Sequence, residues 1–231
     1  MRPDALGPYE HALLVGAPLA LQTAEGRTVQ LDVDRWLAPV DVGDETVLQR
    51  CTGPVLDVGC GPGRFASSLT QRGIAALGVD IADAAVTVAR LRGTMALKRN
   101  IFDRLPGEGR WPTALLMDGN IGIGGDPGRL LRRLARVMAV RGQLLVEAHT
   151  DDTADEVLTV RFNQHGICVG PEFDWAHVGL HALLQHAHAA GYRHYDTWEA
   201  GGRTFAALSV SGGGRIPHRR RSRSHATYGE E

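Results

Sequence analysis

No apolar run in the chain approaches the roughly 18 residues that a membrane-spanning helix needs. The first residues show no basic region followed by an apolar core, so no signal peptide is expected. Cysteine is scarce. Cys51, Cys60 and Cys168 are widely spaced and odd in number, which argues against a disulfide framework and against metal-ligand spacing. Reduced thiols in a cytoplasm are the expectation. There is also almost no excess charge. A formal net charge of −1 gives no global field directed at nucleic acid or acidic lipid.

What is present suits one α/β domain with modest additions. The chain has 231 residues, 43% of them apolar, enough for a real core. The most informative stretch is Val55-Leu56-Asp57-Val58-Gly59-Cys60-Gly61-Pro62-Gly63-Arg64-Phe65. A short apolar run ends in an acid, a Gly-x-Gly-x-Gly turn follows, and a helical pattern opens after it. That order is a strand feeding a glycine loop into a helix, the first crossover of a doubly wound sheet. Gly59 and Gly61 allow a sharp turn where a Cβ would clash and let a ligand lie against bare backbone. Gly63 is expected to let the next helix pack close to the strand. Cys60 fits inside the loop as a small residue. Amides at the helix start favour a polar or anionic ligand group.

Such loops occur in dinucleotide enzymes and in methyltransferases. The dehydrogenase fingerprint needs Gly or Ala three residues after its second Gly, where Arg64 stands. The run Leu56-Asp57-Val58-Gly59-Cys60-Gly61-Pro62-Gly63 instead closely resembles the nucleotide loop of class I S-adenosylmethionine-dependent methyltransferases. That resemblance implies S-adenosylmethionine as cofactor, with Asp57 helping to hold its methionine amino group. It also implies a second acid about twenty residues on. Ala75-Ala76-Leu77-Gly78-Val79-Asp80 supplies it, with Asp80 and the adjoining Ile81 at the ribose. By register, Asn100 and Ile101 take the adenine, and a slip would pass the role to Phe102 or Asp103.

The remaining elements follow in alternation. Leu19, Leu21, Val29, Leu31 and Val33 alternate with polar residues around Glu25-Gly26, the pattern of a β-hairpin. Asp44 is read as a helix cap and Asp83 as a second. Trp111–Met117 is a central strand, and it runs into Asp118-Gly119-Asn120-Ile121-Gly122-Ile123-Gly124-Gly125-Asp126-Pro127. Four glycines at the C-terminal end of such a strand mark close approach to a ligand. Asp118, Gly119 and Asn120 are candidate cofactor contacts. Asp126 caps the following helix, with Pro127 in its first turn. This phrase also resembles that of small actinobacterial methyltransferases.

Residues 150–175 read as irregular, followed by a helix from Trp175 to Ala190. His177, His181 and His188 would share one face of that helix, and a solvated or pocket-rim stripe is the preferred reading over zinc. Tyr192–Trp198 and Arg203–Val210 are joined by so short a link that they must be antiparallel. A terminal hairpin of this kind is typical of the methyltransferase fold. The expected architecture is therefore α/β, a Rossmann-like doubly wound sheet, mostly parallel, with a C-terminal antiparallel hairpin. Residues 1–43 form an extension that either covers substrate or protects a sheet edge. Residues 44–211 form the cofactor domain, and residues 212–231 a disordered basic tail.

The function so implied is methyl transfer to an O or N atom of a small-molecule acceptor, in specialised metabolism. His149, at the end of the fifth core strand, is the candidate base. No metal, nucleic acid or membrane partner is expected, and the oligomeric state is open. One rival is a non-catalytic binding or assembly protein on the same fold. A nicotinamide-dependent oxidoreductase is another. The segment Asp118-Gly119-Asn120-Ile121 stands where a nucleic-acid methyltransferase would carry an Asn-Pro-Pro-Tyr type motif.

Overall fold

Residues 6–210 are described by the computed structural model, so the C-terminal basic tail lies outside them. The chain opens with helix α1 (Gly7–Val15) and the hairpin β1 (Leu19–Thr23) and β2 (Thr28–Leu31). Two short helices follow, α2 (Val33–Leu37) and α3 (Val42–Leu48). The alternation of apolar residues through Val33 does not extend the hairpin that far. Asp32 accepts a hydrogen bond from the Arg35 amide and starts α2 at Val33 instead.

The core alternates strand and helix: β3 (Val55–Val58), α4 (Arg64–Gln71), β4 (Ala76–Asp80), α5 (Asp83–Leu91) and β5 (Met95–Lys98). Then come β6 (Trp111–Leu116), a single 3-10 turn (Asn120–Gly122), α6 (Pro127–Val137) and β7 (Met138–Glu147). The last elements are β8 (Asp155–Gln164), β9 (Ile167–Val178), α7 (Leu180–Ala189), β10 (Tyr192–Ala200) and β11 (Arg203–Val210).

Seven strands form one sheet in the order β10-β11-β7-β6-β3-β4-β5. From β5 to β7 the pairs are parallel, and β11 runs antiparallel to both β7 and β10. The direction of winding reverses between β3 and β6, so their C-terminal ends leave a crevice. Period-two alternation sends side chains to opposite faces. Ala114, Leu116, Leu144 and Val146 pack toward α6 and α7, while Leu115, Met117 and Leu145 pack with Phe65 and Leu69 of α4.

Residues 150–175 are not irregular. Most of them form β8 and β9, a long antiparallel hairpin that joins β1 and β2 in a second sheet, ordered β2-β1-β8-β9. Its strands are half-exposed and carry charge on the outer face, which hides the alternation from a reading of the sequence. The strand also runs through Trp175 to Val178, so the next helix starts at Leu180. His177 is therefore on β9, not on one helix face with His181 and His188.

Two caps differ from expectation. Asp41 is the N-cap of α3, and Asp44 closes the reciprocal half of a capping box with it. The start of α5 is capped from outside. Glu10 of α1 accepts hydrogen bonds from the amides of Asp83 (2.7 Å) and Ala84 (3.3 Å), so Asp83 is left to pair with Lys98. Asp126 does cap α6, accepting from the Arg129 amide at 2.8 Å.

Candidate active site

The glycine loop leaves β3 with Gly59, Gly61 and Gly63 all at positive φ. A Cβ at Gly59 would stand 2.7 Å from the Asn120 side chain, so only glycine fits there. The Asn120 amide donates to the carbonyls of Val58 (3.0 Å) and Gly59 (2.9 Å), clipping the loop to the end of β6. Gly63 permits a different contact from the one expected. Its missing Cβ makes room for Ala89 of α5 (2.8 Å), not for the strand. Cys60 is buried and packs against Gly78, where a Cβ would meet its Sγ at 2.6 Å.

Asp80 ends β4 beneath this loop. Its Oδ2 accepts from the Gly61 amide and its Oδ1 from the Ala82 amide, both at 2.9 Å. Each oxygen keeps a second lone pair. Burial pushes the Asp80 carboxyl above the usual range, against the pull of those amides. Asp57 is buried as well, and its Oδ2 has no hydrogen-bond partner. Burial first, then the nearby Asp118, pushes it up to about 7. Neither Asp57 nor Asp80 has an ion-pair partner among the described residues.

Nearby acids are matched. Arg64, 4% exposed, faces Asp44 and donates to both oxygens of Asp118 at 2.8 Å. Arg35 of α2 reaches Asp118 at 2.7 Å and Glu147 at 3.5 Å. Arg203 of β11 binds Asp44 at 2.9 Å and Glu147 at 3.4 Å. Three arginines thus offset Asp44, Asp118 and Glu147, while Asp57 and Asp80 are left around the loop without a counter-charge. An orphaned buried carboxylate oxygen without a counter-charge fits a cationic ligand group. Asp118 is held at φ 55, its amide donating to Glu147 at 3.0 Å, and Gly119 follows at φ 78.

Asp57, Gly59, Cys60, Gly61, Asp80, Asp118, Gly119 and Asn120 line one cavity of about 760 Å³, within the range of small-molecule sites, whereas Gly63 lies outside its lining. At one end are Ile81, Asn100, Ile101 and Phe102. The Asn100 Oδ1 accepts from the Phe102 amide at 3.0 Å, which fixes its orientation. The Phe102 ring lies under the Arg129 guanidinium, 4.2 Å from its centroid. The glycine loop is roofed by α1, with the Tyr9 hydroxyl 3.3 Å from the place of a Cβ on Gly61.

The other end lies under the second sheet, where Leu21, Trp36, Phe162, Phe173 and Trp175 join the wall. His149 and His177 meet there because the His149 amide bonds the Val178 carbonyl at 2.8 Å. Their rings stack with centroids 4.7 Å apart. His149 Nδ1 accepts from the Asp151 amide at 3.0 Å. A neutral ring so bonded carries its proton on Nε2, which makes it a donor and does not fit the base expected of it. Sequence reasoning missed Tyr9, Arg35 and the place of His177. Arg64 stood out only as a misfit to another fingerprint, and no local pattern announced that it would be buried.

The strand order, with its antiparallel β11, is that of the class I methyltransferase fold. Residues 55–142 match the methyltransferase domain family model, the stretch from β3 through the start of β7. Residues 55–142 are thus similar to a methyltransferase domain, and the chain as a whole has the fold of these enzymes. No curated protein matches the chain. Among solved structures it is similar to a SAM-dependent methyltransferase from Bacteroides fragilis in complex with S-adenosyl-L-homocysteine. That match has 22% identity and a TM-score of 0.72, covering 90% of this chain and 95% of the other. The 1,6-didemethyltoxoflavin-N1-methyltransferase of Burkholderia thailandensis, with that compound and S-adenosylhomocysteine bound, is similar at 16% identity and TM-score 0.56, over 73% and 77%. A sugar N-methyltransferase from Streptoalloteichus is similar at 16% identity and TM-score 0.55, over 74% and 85%.

Proposed function

We propose that the protein transfers a methyl group from S-adenosylmethionine to an O or N atom of a small molecule held between its two sheets. The observation that carries this reading is the single cavity. Its glycine-loop end holds an orphaned carboxylate oxygen, and its other end is an apolar chamber. The Burkholderia neighbour, crystallised with a small molecule and S-adenosylhomocysteine, supports a small-molecule acceptor.

On this reading Asp57 holds the methionine ammonium, the backbone of Gly59, Cys60 and Gly61 cradles the cofactor, and Gly63 ends the loop against α5. Asp80 and Ile81 take the ribose, and Asn100 and Ile101 the adenine. Asp118, Gly119 and Asn120 shape the methionine end. When bound, the cofactor supplies a methyl group on a positively charged sulfur, poised for in-line displacement. The chain's own work is to hold the acceptor in line, keep water out and manage the acceptor's proton. His149 donates a hydrogen bond into the chamber. Residues 1–43 serve as the cover and residues 44–211 as the cofactor domain, while residues 212–231 lie outside the described residues. The loop Asp118–Pro127 supports placing the chain with the small actinobacterial-type methyltransferases. A formal net charge of −1 supports a metabolite over nucleic acid.

The test is calorimetric titration of the full chain with S-adenosylmethionine and with S-adenosylhomocysteine. Micromolar binding of either is expected. A folded sample that binds neither overturns the proposal.

A further inference from the structure

We infer that the acceptor is a planar, largely apolar molecule, and that His177, oriented by Glu156, takes the proton from its reacting O–H or N–H. This rests on the methyltransferase reading above and names the acceptor side of that site.

The chamber argues for the molecule. From the second sheet, Phe173, Trp175 and His177, spaced two apart on β9, line it beside Phe162 of β8 and Leu21 of β1, and Asp174, Ala176 and Val178 between them reach it as well. Phe162 and Phe173 pack with ring centroids 5.1 Å apart, and Trp36 closes the space from α2. Three acids in this wall are already engaged. Asp32 caps α2, and Asp174 takes the Thr159 hydroxyl at 2.9 Å. Glu147 is held by Arg35 and Arg203. Gln30, Thr150 and the two histidines remain as polar partners, and Trp36, Phe162, Phe173 and Trp175 offer a flat apolar acceptor stacking surfaces.

The histidine pair argues for the proton. His177 is 6% exposed and lines the cavity. Its Nδ1 has one acid beside it, Glu156 Oε1 at 3.4 Å, without the alignment of a full hydrogen bond. Glu156 is itself fixed by Arg27, which reaches both of its oxygens, at 2.6 and 2.8 Å. An acid at Nδ1 places the proton there and leaves the lone pair on Nε2. That Nε2 has no protein partner among the described residues. Burial, and then the stacked His149, hold the ring below the ordinary histidine range, which keeps the lone pair free near neutrality. The neighbouring His149, with its proton on Nε2, hydrogen-bonds an acceptor heteroatom. One ring donates while the other accepts.

The step balances. A lone pair of the acceptor's O or N forms the new bond to the methyl carbon. The electrons of the broken sulfur–carbon bond stay on sulfur, which becomes a neutral thioether. The acceptor's proton goes to Nε2, and the resulting imidazolium is stabilised by Glu156 at Nδ1.

The experiment uses the full chain saturated with S-adenosylhomocysteine and two neutral probes, 2-naphthol and methyl glucoside. Calorimetry should show naphthol binding tighter by about tenfold or more, as two aromatic contacts imply. Long-range nitrogen–proton spectra of His177 should show the Nδ1–H tautomer near neutral pH and an Nε2 shift that moves when naphthol binds. Glu156→Ala, at a half-exposed position, should raise the Nε2–H population. Glucoside binding as well as naphthol, or an Nε2–H tautomer in the unaltered protein, would overturn the inference. If S-adenosylhomocysteine binds and naphthol does not, this inference falls and the methyltransferase reading stands. If neither binds, both fall together.

Discussion

Arg64 places one guanidinium nitrogen 2.8 Å from each oxygen of Asp118, across 54 residues of sequence. The contact joins the first turn after the glycine loop to the loop after β6, the two sides of the crevice. A second nitrogen faces Asp44, which is wholly buried. Removing one partner of a buried pair leaves the other charge unpaired in a low-dielectric setting. Arg64→Met should therefore cost about 3 kcal/mol or more, a drop of about 10 °C in midpoint for a chain of this size. Thermal unfolding checks it. A change within about 1 °C would mean that Asp44 and Asp118 are satisfied without Arg64.

Asp57 gives a pH dependence with a definite sign. Its carboxyl is pushed up to about 7 by burial and by Asp118 and Asp80. A bound ammonium favours the ionised form, so cofactor binding should expel a proton. Affinity for S-adenosylmethionine should rise as pH increases from about 6 to about 8 and level off above. Without ligand the sign for stability is opposite. A carboxyl raised above its unfolded value favours the fold most at low pH and loses that advantage as pH rises through about 7. Calorimetry in buffers of different ionisation enthalpy counts the protons, and uptake in place of release would refute the assignment. Asp57→Asn should flatten the profile.

Asp80→Ala removes two acceptors used by the loop as well as those offered to a ribose. The expected loss in S-adenosylhomocysteine affinity is roughly 10- to 100-fold, the scale of charge-assisted hydrogen bonds left unmade. Asp80→Asn keeps one acceptor and should lose less. Equal affinity of both variants with the unaltered protein would remove Asp80 from the site.

Glu10 and Arg35 fasten the N-terminal segment. Glu10 caps α5 from α1, and Arg35 ties α2 to Asp118 and Glu147. Glu10→Ala should cost about 1 kcal/mol, as other lost caps do. It should also speed amide exchange through residues 7–37 while leaving β3 and β6 protected. Exchange that quickens equally across the seven-stranded sheet would show a global effect and no local latch.

The parts of this molecule readable from sequence are those where one short segment determines its own surroundings. Val55–Gly63 dictates a strand, a loop and a helix start by itself, and Asp126-Pro127 sets a helix in two residues. The terminal hairpin followed from the shortness of its link. The second sheet was hidden because its apolar residues are split between segments some 140 residues apart, Leu21 pairing with Phe162. Half-exposed strands with charged outer faces gave no clear period in residues 150–175. His177 was misplaced for the same reason: Trp175–Val178 reads equally well as a helix start until β8 pairs with it. Asp44 was assigned to the helix end one turn too late because the box is shared with Asp41. The buried arginines carry no local signature, since burial of a charge depends on partners from three distant places, α3, the loop after β6 and β7.

The pairing of β1 with β8 has one more consequence. The wall we assign to the acceptor is written in two separate passages of the chain, residues 19–37 and 155–178, while residues 55–147 lie between them and hold the glycine loop. The intervening passage can stay constant while the flanking ones drift, provided that the two drift in concert. A chimaera that imports only one of them would bring mismatched strand edges together. Grafting both as a set is the route to moving selectivity from one such scaffold to another.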